Sequence, residues 1–166
     1  MKNELFLFHM KYRQLTKEQL ESLHEEFAQF LASQEIDAKE WSKIKETNSQ
    51  LVEEELNLFS DMVWDRVLTN TKFVNHVSKK VLNLFKCDEF QMTRIVLQLK
   101  DSKDFNDQED LKWVMENLKH DSIEILAGSK KYSIERNLEI FRILESGAEI
   151  SHGELYNHVA SLMNKS

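Results

Sequence analysis

Apolar residues recur every three or four positions over much of the chain. Over residues 17–33, Leu20, Leu23, Phe27, Phe30 and Leu31 share one face while Glu18, Glu25 and Gln29 lie opposite, the pattern of an amphipathic helix. A second helix begins near Ala38 and carries Trp41 and Ile44. Asn48 and Ser49 interrupt the pattern, and a longer helix follows over residues 50–69, with Val52, Leu56, Phe59, Val63 and Val67 as its inward stripe. Two of these starts carry capping boxes. Thr16 and Gln19 form one, with Leu15 and Leu20 placed as a hydrophobic staple; Asp37 and Glu40 form another, stapled by Ile36 and Trp41.

The period changes after Thr71. Val81, Leu82, Leu84 and Phe85 lead to a polar corner at Asp88 and Glu89, beyond which Ile95, Leu97 and Leu99 alternate with Arg94, Gln98 and Lys100. This predicts a β-hairpin; the competing helix from Ser78 is disfavoured by the β-branched and aromatic content. A helix over residues 108–119 follows, with Leu111, Val114, Met115 and Leu118 inward, and then a short strand over 123–127 closed by Gly128. From Ser133 another helix carries Ile134, Leu138, Phe141 and Leu144 and ends at Gly147 as a C′ glycine. Ser151 and Glu154 have the spacing of a third capping box, opening a last helix with Leu155, Val159 and Leu162. The expected fold is α+β: five to six helices with a small antiparallel sheet built on the hairpin, as a single domain over 1–166. An all-α bundle is the alternative.

Composition narrows the function classes. Only three glycines and no proline leave no glycine-rich phosphate loop. A net charge of −7 argues against a general nucleic-acid binder, whose affinity rests on clustered Lys and Arg. Cys87 is the only cysteine, which excludes an intramolecular disulfide and a zinc site of paired thiolates and suits a reducing compartment. Flanked by Asp88 and Glu89, its thiol is expected to have a raised pKa and a structural role. The apolar run Leu5 to Phe8 is too short for a signal core, and no segment approaches the roughly 20 apolar residues of a membrane span. A cytoplasmic protein is expected.

Two Glu-x-x-His pairs, Glu21 with His24 and Glu149 with His152, have the spacing of ligands in di-iron helical bundles. Glu21 falls outside the apolar stripe of its helix, and the second pair straddles the cap expected at Ser151, so neither is placed to hold a buried metal. No cofactor is indicated. His152 and His158 lie on nearly opposite helix faces, and Lys130, Lys131, Tyr132 and Arg136 read as a solvated turn.

One surface stands out. Because the long helix already has an inward stripe, Trp64 and Leu68 fall on a flanking face and Leu58 on another, with Glu54, Asp61 and Asp65 as an acidic rim. The expectation is a non-enzymatic adaptor or regulatory module that docks a protein partner there, a basic one by charge complementarity. The alternatives are a small metal-dependent or hydrolytic enzyme using His24, His76, His152 or His158 with scattered carboxylates, and a homodimer whose interface covers Trp64 and Leu68.

The run from Met10 to Gln19, with "FLASQEIDAKEW", "EEELNLFSDMVWDRVL" and "GAEISHGELY", resembles a family of small uncharacterised proteins from Bacteroidetes, the flavobacteria especially. The resemblance covers most of the chain from Met10 onward. It implies that residues 1–14 include an N-terminal extension, with an alternative start at Met10, and it supplies no catalytic residue, cofactor or partner.

Overall fold

The computed structural model describes residues 9–165; the Leu5 to Phe8 run and most of the extension ahead of Met10 lie outside the described residues. The chain divides into two compact units, Met1–Val67 and Leu68–Ser166.

The first unit is helical, with α1 (Lys17–Ser22), α2 (His24–Ser33), α3 (Ala38–Thr47) and the greater part of α4 (Ser49–Asn70). The expected capping box at Thr16 forms in both directions: Thr16 Oγ1 accepts from the Gln19 N–H at 3.2 Å, and Gln19 Oε1 accepts from the Thr16 N–H at 2.9 Å. Asp37 accepts from the Glu40 N–H at 2.7 Å and caps α3. The single helix expected over 17–33 is instead two. Leu23 leaves helical geometry at φ −107°, ψ 23°, its N–H shared between the Gln19 and Leu20 carbonyls, and the chain restarts as α2. α2 ends in a Schellman motif, with the Ile36 N–H on the Leu31 carbonyl and Glu35 left-handed at φ 63°.

Aromatic rings from three helices meet in this unit. Phe27 lies 5.0 Å from Phe59 and 5.4 Å, edge-on, from Trp41, while Phe30 lies 5.5 Å from Phe59. Such pairs contribute about 0.5–1.5 kcal/mol each beyond the area they bury. Phe59 is fully buried, as the stripe requires. The stripe fails at its end: Val67 is 39% exposed and Leu68 is 0% exposed, so Leu68 is a core residue rather than part of a flanking surface.

The second unit is built on a five-stranded antiparallel sheet in the order β4-β3-β2-β1-β5. Its strands are β1 (Phe73–Val77), β2 (Val81–Cys87), β3 (Gln91–Leu99), β4 (Ile123–Lys131) and β5 (Glu149–Ser151), and its helices are α5 (Gln108–Glu116), α6 (Arg136–Glu145) and α7 (Glu154–Met163). The fold is α+β, and the expected hairpin is β2–β3. Directly paired residues share a face. Leu82 with Leu97, Leu84 with Ile95 and Leu99 with Ile123 line one face, where Val114 of α5 and Tyr156 and Val159 of α7 complete the core. The other face carries Val74, Phe85, Arg94, Val96, Leu126 and Gly128.

α6 crosses this second face. At its start Arg136 reaches the carbonyls of Cys87 and Asp88 at the end of β2, and at its end the Ser146 carbonyl accepts from His76 Nε2 of β1 at 3.2 Å. The helix ends as expected, with Gly147 at φ 108° and its N–H on the Leu144 carbonyl. The third capping box does not form. Ser151 belongs to β5, its Oγ accepts from the Gly153 N–H, and Gly153 at φ 88° is the N-cap of α7.

Candidate functional site

The surface first expected to dock a partner is used within the first unit. Residues 11–15 run along α4, and the carboxylates of the expected rim receive them: Asp61 accepts from the Lys11 N–H at 2.8 Å and the Tyr12 N–H at 3.0 Å, and Asp65 accepts from the Tyr12 hydroxyl at 2.9 Å. Ser60 Oγ accepts from the Leu15 N–H at 3.0 Å, and the Arg13 guanidinium lies 4.9 Å over the Trp64 ring. Trp64 is half-buried, Leu58 is exposed, and Glu54 accepts from Gln50 one turn away.

Of the residues expected in a solvated turn, Tyr132 and Arg136 are structural in the second unit, while Lys130 and Lys131 are exposed in β4. Arg136 donates to four backbone carbonyls: Leu68 at 2.8 Å, Thr71 at 2.5 Å, Cys87 at 3.1 Å and Asp88 at 3.1 Å. Tyr132 donates its hydroxyl to the same Asp88 carbonyl at 2.8 Å. Cys87 is buried beside this knot, and its thiol is pushed up to about 11, by burial first and by Asp88 second, against the opposing pull of Arg136. Burial likewise pushes Tyr132 up to about 12.

Both groups are neutral when protonated, so the folded chain holds their protons more tightly than the unfolded chain. Their contribution is complete below the unfolded pKa values and is lost as pH rises, from 9.0 towards 11 for Cys87 and from 10.0 towards 12 for Tyr132. The Cys87 shift corresponds to roughly 2–3 kcal/mol of stability lost across that window. Urea unfolding between pH 8 and 11 should show this decline. Cys87→Ala should flatten it between pH 9 and 10, and an unchanged slope would assign the decline elsewhere.

The sheet has two outer strands, β4 and the three-residue β5. β4 is nine residues long and continues past Gly128, where the sequence suggested a stop, to Lys131. Leu126 to Lys131 are all exposed, Leu126 at 59%. A cleft opens on each side of this strand. On the second face, between β4 and α6, a cleft of about 730 Å³ is lined by Phe85, Arg94, Val96, Leu126, Arg142 and Ile143 among others. On the first face a cleft of about 560 Å³ is lined by Leu118, His120, Ile125, Val159, Leu162 and Met163 with neighbouring residues.

The electrostatics of the larger cleft are cationic. Arg94 donates to Asn83 Oδ1 through Nε and Nη2 and lies 5.7 Å over the Phe85 ring. Lys130 pairs with Glu139, whose other oxygen accepts from the Ser133 N–H. Arg142 is exposed in the last turn of α6. Gly128 stands directly opposite Arg94 in the β3–β4 register, and a side chain there would meet nothing within 4 Å. The row of side chains is therefore open at this point.

Compared with known proteins, the chain matches the model of a family of unknown function, DUF6495, over residues 10–164. The chain belongs to that family. No curated protein and no solved structure matches it. The matched span takes in both units of this DUF6495 chain, from the segment along α4 to the end of α7.

The histidines of this DUF6495 chain are dispersed. His24 faces the Glu21 carbonyl in the first unit; His76 lies in β1, His152 follows β5, and His158 of α7 donates from Nε2 to the Met115 carbonyl at 2.8 Å. Among the described residues no group of three or more His, Cys, Asp or Glu side chains is placed to hold a metal ion, and no helix is long and apolar enough to cross a membrane. The β4 edge escaped sequence reasoning because Gly128 reads as a strand terminator. The available signal was that Ser129 to Lys131 can continue the strand beyond it.

Proposed function

We propose that the protein is a non-enzymatic interaction module that takes up a partner protein by strand addition at β4. The carrying observation is the run of six exposed residues, Leu126 to Lys131, on an outer strand of the sheet, with the larger cleft along it and the smaller meeting the strand at Ile125. An outer strand presents backbone donors and acceptors in a row, and an added strand supplies partners for them while its alternate side chains enter pockets above and below. Sheet edges are commonly guarded by lysine. Here Lys130 and Lys131 stand at one end of β4, while the exposed Leu126 lies in its middle.

The acidic overall charge pointed to a basic partner, but the charge beside β4 is of the opposite sign. Binding there follows local rather than net charge, because screening limits distant groups to about 8 Å at physiological ionic strength. An enzyme assembled from His24, His76, His152 and His158 has less support, since these residues sit on separate elements and, among the described residues, none meets a second histidine or a carboxylate within hydrogen-bond distance.

Amide hydrogen exchange on the full chain, with and without a co-purified partner, is the test. Slowed exchange concentrated in residues 126–131, lost with Leu126→Lys, is the expected result. Protection confined to α4 around Trp64 would overturn strand addition and return the docking site to the first unit.

A further inference from the structure

We infer that the occupant of the β4 edge is an extended acidic segment in which carboxylate and apolar side chains alternate, an inference that rests on the strand-addition reading above. A strand laid beside β4 points successive side chains to opposite faces of the sheet. One set then faces the larger cleft, which runs along residues 126–130; the other set faces the opposite side of the sheet, where the smaller cleft meets β4 at Ile125, and the two clefts differ in chemistry. The larger is open over Gly128 and carries the guanidinium groups of Arg94 and Arg142, so it favours carboxylates. Arg94 is fixed by Asn83 and Phe85, which sets its planar donors in place before a ligand arrives. Arg142 carries a second positive charge into the same space. The smaller cleft, floored by Ile125, Val159 and Leu162, favours an apolar side chain.

Glycine at position 128 matters to this assignment. It has no positive φ and no close neighbour, so neither backbone strain nor packing demands it. What its missing side chain provides is clearance between the sheet edge and Arg94. A valine there suits a strand and fills that clearance, which separates binding from folding.

The experiment uses the full chain and three labelled seven-residue peptides: one alternating glutamate with leucine, one of the same composition in two blocks, and one alternating lysine with leucine. Fluorescence anisotropy should show saturable binding of the glutamate–leucine alternating peptide, at least tenfold tighter than either of the others and weakened by salt. Gly128→Val should reduce that binding at least tenfold while the unfolding midpoint in urea is unchanged or raised. Arg94→Gln with Arg142→Gln should also weaken it at least tenfold.

If the lysine–leucine peptide binds instead and protects the amides of 126–131, the edge is a docking strand but the acidic ligand is overturned. If no peptide binds, or none protects those amides, strand addition itself fails. Binding that survives Gly128→Val in a folded protein would place the peptide elsewhere and overturn the inference.

Discussion

Arg136→Met is expected to lower the unfolding free energy by about 3–5 kcal/mol, because it removes the guanidinium shared by the carbonyls of Leu68, Thr71, Cys87 and Asp88, of which Leu68 keeps the Thr71 N–H and Asp88 the Tyr132 hydroxyl. Each hydrogen bond from a charged group contributes roughly 1.5–3 kcal/mol, and partial rehydration of the half-buried carbonyls brings the sum down. Arg136→Lys is not expected to rescue it. An ammonium has three donors on one atom, whereas the guanidinium spreads five in a plane wide enough to serve separate segments. Urea denaturation checks this through a lower midpoint at constant m-value. A loss under 1 kcal/mol for Arg136→Met would mean that the carbonyls find other partners.

The second large effect is expected at Gly153. Its φ of 88° is in the left-handed region, and a Cβ there would lie 2.5 Å from Cδ2 and 2.6 Å from Cε2 of Phe73. The conformation alone costs a non-glycine residue about 1–2 kcal/mol. The clash adds to it, because the Phe73 ring packs 5.5 Å from Tyr156 and cannot withdraw freely. Gly153→Ala should therefore destabilise by about 3–4 kcal/mol in total, the clash being of the order of an overpacked core. The two parts separate in a double-mutant cycle. In a Phe73→Ala background the same substitution should cost only the conformational part, about 1–2 kcal/mol. Equal costs in both backgrounds would show that the ring contact carries no energy.

Much of the helical structure was legible in the sequence because its signals are local. Thr16 and Asp37 cap through side chains within three residues, and Gly147 closes α6 through its own φ. The hairpin was legible from alternation in β3, where buried Ile95, Leu97 and Leu99 are separated by less buried neighbours. β1 was not. Its Asn75 and His76 are consecutive polar residues on opposite faces, which hides the period. β5 has three residues and exists because β1 offers it an edge, so no local propensity announces it.

A continuous inward stripe along α4 requires one core facing the whole helix. The chain divides between Val67 and Leu68, and the stripe fails at that point. For the candidate site, Arg94 and Arg142 were visible only as charges on unconnected elements. The register that sets Arg94 opposite Gly128, and the cleft between β4 and α6, are tertiary facts.

The short strand β5 also orders events during synthesis. β1, β2 and β3 form a meander whose pairings need only nearby chain, but Phe73 to Asn75 must wait for Glu149 to Ser151. While the chain is still emerging from the ribosome, that side of β1 is an uncovered seam. Loop-closure entropy delays such distant pairings relative to the meander. The β1 side of the sheet is thus closed by a segment distant in the chain, and a chain cut short before Glu149 would leave Phe73 to Asn75 bare as a sticky margin.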